Sequence, residues 1–99
     1  MNQQWKAAQD YVDARAQSLR SMPHADLLKL PRISDEGRVD SLPEFQVTLW
    51  TKRLEGGSIR VIVQASRHFL GGIMSRSAVA GFDKHPSGDV TDLPEGEFE

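Results

Sequence analysis

Residues 45–69 constrain this chain more than any other stretch. They read Phe-Gln-Val-Thr-Leu-Trp-Thr-Lys-Arg-Leu, then Glu-Gly-Gly, then Ser-Ile-Arg-Val-Ile-Val-Gln-Ala-Ser-Arg-His-Phe. Both arms are rich in β-branched and aromatic residues, both alternate apolar with polar, and a glycine pair separates them, which together specify a β-hairpin. A slip of one residue exchanges the buried and solvated faces of an arm, so the pairing can be chosen by asking which register sorts the side chains. A two-residue Gly56-Gly57 loop would oppose Lys52 to Val61 and Trp50 to Val63, mixing polar with apolar. A three-residue Glu55-Gly56-Gly57 loop opposes Phe45 to Arg67, Val47 to Ala65, Leu49 to Val63 and Thr51 to Val61 on one face. The other face then carries Lys52/Arg60, Trp50/Ile62, Thr48/Gln64 and Gln46/Ser66. The second register separates the faces, and Gly57 suits the left-handed residue that ends such a loop.

Ahead of the hairpin, residues 3 to about 20 contain neither Gly nor Pro and favour a helix that Asn2 can cap. Trp5, Ala8, Val12, Ala16 and Leu19 fall on one stripe and face the core, while Gln3, Lys6, Gln9, Asp10, Asp13 and Gln17 face water. Ser21-Met22-Pro23 ends the helix, because proline disfavours a helical conformation in the preceding residue. From 23 to 43 the periodicity is lost among Pro23, Pro31, Gly37 and Pro43. Leu27-Leu28-Lys29-Leu30 reads as a short edge strand or packed loop, and Ser34-Asp35-Glu36-Gly37 as a turn. A connection this long without an element of its own would point to a lid or binding loop.

After the hairpin, Leu70-Gly71-Gly72 reads as a turn and residues 73 to about 84 as a third strand, with Met74, Ala78, Ala80 and Phe82 toward the core and Arg76 reaching the edge. His85-Pro86-Ser87-Gly88 is a tight turn into a fourth strand, 89 to about 92. The sequence thus predicts an α+β domain: an N-terminal helix packed on a four-stranded antiparallel β-meander. By architecture alone this resembles the single-helix, curved-sheet arrangement of cystatin-like folds, an analogy without functional content. With 99 residues, one domain spanning 1–99 and one modest core are expected, with 94–99 a frayed acidic tail on which Phe98 could dock.

No apolar run is long enough to span a bilayer and no signal-peptide pattern opens the chain, so a cytoplasmic location and no membrane partner are expected. The chain has no cysteine, which removes disulfides, thiolate catalysis and Cys-based zinc sites. His24, His68 and His85 show no ligand spacing, so no metal and no cofactor is expected. Gly56-Gly57 and Gly71-Gly72 lack the following helix and Lys-Ser/Thr of a phosphate loop. Charge is unevenly spread: 45–84 has six bases against two acids, whereas the residues after Lys84 hold five acids and no base.

Two kinds of surface follow. A helix about 10–12 Å across cannot cover both faces of four strands spaced about 4.8 Å apart. The second face carries Trp50, Ile62, Arg60, Gln64 and Thr48, an interface composition. The leading expectation is a non-catalytic interaction module binding a protein partner, most simply a second copy, through that face. An alternative is a ligand-binding or enzymatic pocket between helix and sheet, lined by Tyr11, Met74, Phe82 and His68. A second alternative is weak single-stranded nucleic-acid binding through Lys52, Arg60 and Arg76, against which stands a pI near 5.9.

Overall fold

The computed structural model describes residues 3–39, 42–69 and 74–93. Helix α1 (Gln3–Arg20) is followed by a single helical turn, α2 (His24–Leu27), and by strands β1 (Ile33–Val39), β2 (Leu42–Arg53), β3 (Ile59–Phe69), β4 (Met74–Lys84) and β5 (Val90–Asp92). All neighbouring strands are antiparallel and lie in sequence order β1-β2-β3-β4-β5, so α1 packs on one face of an open five-stranded meander.

The central hairpin adopts the register expected from sorting its faces: Val47 pairs with Ala65, Leu49 with Val63, Trp50 with Ile62 and Lys52 with Arg60. Its loop closes through Leu54 N–H to Ser58 O (2.8 Å), with Gly56 and Gly57 at φ 81° and 88°. The third expected strand is β4, whose Phe82, Ala80 and Ala78 oppose Val61, Val63 and Ala65 on the helix side. At the 85–88 turn, Gly88 N–H meets His85 O at 2.8 Å and Gly88 sits at φ 97°.

One contiguous core fills the space between α1 and the sheet. Ala8, Val12, Ala16 and Leu19 of α1 meet Phe45, Val47, Leu49, Ile59, Val61, Val63, Ala65, Ala78 and Phe82, with Leu27 closing one end. Trp5 stands edge-on to Phe45, ring centroids 5.1 Å apart. The C-terminus of α1 is secured by groups from the far edge of the sheet. Lys84 Nζ donates to Arg20 O (2.8 Å), supplying a cation where the helix leaves carbonyls without partners. Arg20 lies over the Phe82 ring and pairs with Asp92 of β5 at 2.7 Å.

The sheet has five strands rather than four, and the difference lies in 23–39. Leu27-Leu28-Lys29-Leu30 is no strand: Asp26, Leu27 and Leu28 donate back to Pro23 and His24, winding a helical turn that ends at Leu27 and buries it completely, and 28–30 follow as a loop whose Leu28 and Leu30 pack on the core. A single turn is too short to display a period, so only the burial of Leu27 reveals it. Ser34-Asp35-Glu36-Gly37 lies inside β1 instead of forming a turn. Its turn-like composition makes a β-bulge, with Glu36 the extra residue between the pairs Asp35↔Thr48 and Gly37↔Val47. Gly37 adopts φ 75°, and the Asp35 carboxylate accepts its N–H at 2.7 Å. The bulge turns Glu36 to the helix side, where it receives two hydrogen bonds from Arg15 (2.8 and 3.2 Å). That bonding, aided by the attraction of the carboxylate, holds the Arg15 guanidinium above its ordinary pKa despite partial burial. The segment therefore contains its own elements, and the expectation of a lid is withdrawn. Asn2, the 70–72 turn and the 94–99 tail lie outside the described residues.

Candidate functional site

Period-two alternation that sends Val47, Leu49, Val61, Val63 and Phe82 to the helix must send their neighbours to the opposite face. Strand pairing arranges those neighbours in rows. One row crosses β1 to β4 as Ile33, Trp50, Ile62 and Gly81. At its end the Leu93 side chain lies against Gly81, where an added Cβ would stand 2.8 Å from Leu93 Cδ1 and collide with Val61 O. The absence of a side chain at Gly81 thus lets Leu93 lie down on the sheet and extends an apolar belt to the last strand. Neither α2 nor β1 roofs it: Trp50 is 40% exposed and Ile33 56%.

The indole is held in place. Trp50 Nε1–H donates to Gln64 Oε1 at 2.9 Å, Gln64 Nε2 donates to Ser77 Oγ at 2.9 Å, and Ser77 meets Ser66 Oγ at 3.0 Å. Gln64 sits diagonally across from Trp50, beside Thr48, within reach for long cross-strand side chains. On this side the belt is bordered by the row Asp35, Thr48, Gln64 and Val79, polar as far as Gln64, in which Asp35 also accepts from Gln46 at 3.0 Å.

The row on the other side is Lys52, Arg60, Asp83 and Thr91. Arg60 does not present its charge to solvent. Its Nε and Nη2 donate to the two Asp83 oxygens at 2.8 and 3.0 Å, and the two side chains are only 13% and 10% exposed. Arg76 pairs with Arg67 along the backbone of β3 and β4, and its side chain lies outside the described residues. Of the two platform cations whose side chains are described, Arg60 is paired with Asp83 and Lys52 meets no carboxylate among the described residues. Among the described residues this face shows one accessible indole, fewer stacking rings than a single strand requires.

The pocket suggested between helix and sheet meets the core. Phe82 has no exposure, pairs with Val61 and belongs to the same buried cluster as Val12 and Leu19, on which Tyr11 packs. The side chains of His68 and Met74 lie outside the described residues.

Two other histidines are tied at the hairpin end. His24 Nε2 donates to Gly57 O at 2.7 Å. His85 bridges Ser58 Oγ (2.7 Å, Nδ1) and Thr91 Oγ1 (3.0 Å, Nε2). Ser58 and His85 have the separation of a nucleophile and its base, but Ser58 is 8% exposed, and the second ring nitrogen meets a hydroxyl instead of an orienting carboxylate. The contact joins the hairpin loop to the 85–88 turn and β5. Among the described residues no three His, Asp or Glu side chains gather as a metal site would require, and no helix is long and apolar enough to cross a membrane.

Sequence reasoning placed Trp50, Ile62, Arg60, Gln64 and Thr48 on this face and missed Ile33, Leu93 and Asp83. The missing signal was β1: once Ile33 is known to face Trp50, the belt follows from pairing alone. Comparison of the chain with protein-family models, with curated proteins and with solved structures finds no match.

Proposed function

We propose that this protein is a non-catalytic interaction module that docks a second copy of itself through the sheet face opposite α1. The observation that carries the reading is the transverse belt of Ile33, Trp50, Ile62 and Leu93, uncovered by the described residues and centred on an indole already fixed by Gln64. A Trp whose rotamer is set before contact loses little side-chain entropy on docking, which is what an interface anchor requires.

Size and charge favour a second copy as the occupant. From the strand lengths, about 3.4 Å per residue and about 4.8 Å per strand, the face covers about 700 Å², near the roughly 800 Å² per partner of a standard interface. A two-fold axis lying along the belt sets belt on belt and brings the row containing Lys52 over the partner's row containing Asp35. Opposite charges then meet beside the apolar centre, as expected of an isologous sheet-on-sheet contact.

Sedimentation velocity tests this. The wild type should associate at about 10 μM, with Trp50 emission shifting to the blue in a Trp5→Phe background, whereas Trp50→Ala and Ile33→Ser should remain monomeric with unchanged helix and strand content. A wild type that stays monomeric at about ten times that concentration refutes the reading.

A further inference from the structure

A groove of about 480 Å³ opens at the edge of the sheet between residues 30–32 and the outer end of β2, lined by Leu30, Arg32, Thr51, Lys52, Arg53 and Ile59. Its origin is local. Thr51 N–H and Oγ1–H donate to Arg32 O and Pro31 O, both at 2.9 Å, and there the ladder stops, because the next N–H in line, that of Leu30, turns back to Leu27 O at 3.1 Å. The chain here departs toward α2, so Lys52 and Arg53 pair with Arg60 and Ile59 of β3 on one side and with no strand on the other. By the two-residue period, the Arg53 N–H points to the same edge as that of Thr51.

Arg32, Lys52 and Arg53 all line this concavity at the sheet edge, and none of its lining residues is acidic. Arg32 and Lys52 meet no carboxylate among the described residues. Arg53 donates from Nη2 to Leu28 O at 3.1 Å, which fixes the guanidinium plane with most of its five donors uncommitted. Cations that only protect a sheet edge are expected to spread along it and point to water. Here they share one hollow with Leu30 and the nearly inaccessible Ile59.

We propose that the groove binds a phosphate monoester with an apolar organic body. Two guanidinium groups and an ammonium suit a dianion with three accepting oxygens better than a single carboxylate, which one arginine fork satisfies. The volume lies within the range of small-ligand sites and far exceeds that of a phosphate group, so the half-buried Leu30 is left for the body of the ligand. The groove shares Lys52 with the border of the Trp50 belt, whereas Arg32, Arg53 and Leu30 belong to the groove and not to the belt.

Amide chemical-shift titration of the full chain with phenyl phosphate and with inorganic phosphate tests the proposal. Saturable shifts at Leu30, Arg32 and Thr51 to Arg53 are expected, with phenyl phosphate binding at least about fivefold more tightly than inorganic phosphate. Arg32→Gln and Lys52→Gln, both at solvated positions, should each weaken binding about tenfold, and Trp50→Ala should leave it unchanged. Cosedimentation with vesicles containing phosphatidic acid, lost in Arg32→Gln, would assign the phosphoryl group to a lipid rather than a soluble ligand. Shifts that fail to saturate, that spread over all basic residues, that persist in both variants, or that do not distinguish the two phosphates overturn the proposal.

Discussion

Removing Asp83 tests whether the charged border of the open face is as dry as its geometry implies. Asp83 and Arg60 are joined by two hydrogen bonds, and their side chains are 10% and 13% exposed. Losing one partner of a fully buried pair costs about 3–5 kcal/mol, because the other charge stays desolvated, whereas exposed pairs contribute about 0–1 kcal/mol. At roughly one-tenth exposure the lower end of the buried range applies, so Asp83→Leu should destabilise by about 3 kcal/mol. For a domain of this size that lowers the melting temperature by roughly 12–24 °C. The double variant Arg60→Met/Asp83→Leu removes both charges and fills the space with apolar groups, so it should return to within about 1 kcal/mol of wild type. Thermal and urea unfolding followed by circular dichroism read all three proteins. A loss below about 1 kcal/mol in Asp83→Leu would show the pair to be hydrated, and the argument that Arg60 is unavailable to anions would go with it.

Gly37→Ala should cost about 1–2 kcal/mol although an added methyl would touch nothing within 4 Å, because the penalty is the left-handed backbone of the bulge. Urea unfolding measures it, and a neutral result would remove the bulge as the reason for glycine. Leu27→Ala should lose about 2–4 kcal/mol, the cost of a cavity under α2, whereas a peripheral loop at that position would lose almost nothing.

The amino-acid sequence by itself determined the helix, its buried stripe and the register of the central hairpin. These rest on periodicities of 3.6 and 2 sustained over many residues, and any other pairing would have put polar groups in the core. The same alternation assigned Phe82 and Ala78 to the helix side and Trp50 and Ile62 to the other. Only tertiary structure decided 23–39, where Ser-Asp-Glu-Gly has the composition of a turn whether it reverses the chain or bulges an edge strand. Its state is settled by the free edge of β2 and by Arg15 waiting for Glu36 across the helix interface. The belt was hidden for the same reason, since Ile33 and Leu93 join Trp50 only through neighbours in space. So was the neutralisation of Arg60, because a charge 23 positions away in sequence becomes a bidentate partner only when β3 and β4 pair. Local pattern sets which face a residue takes, but long-range pairing sets what stands beside it there.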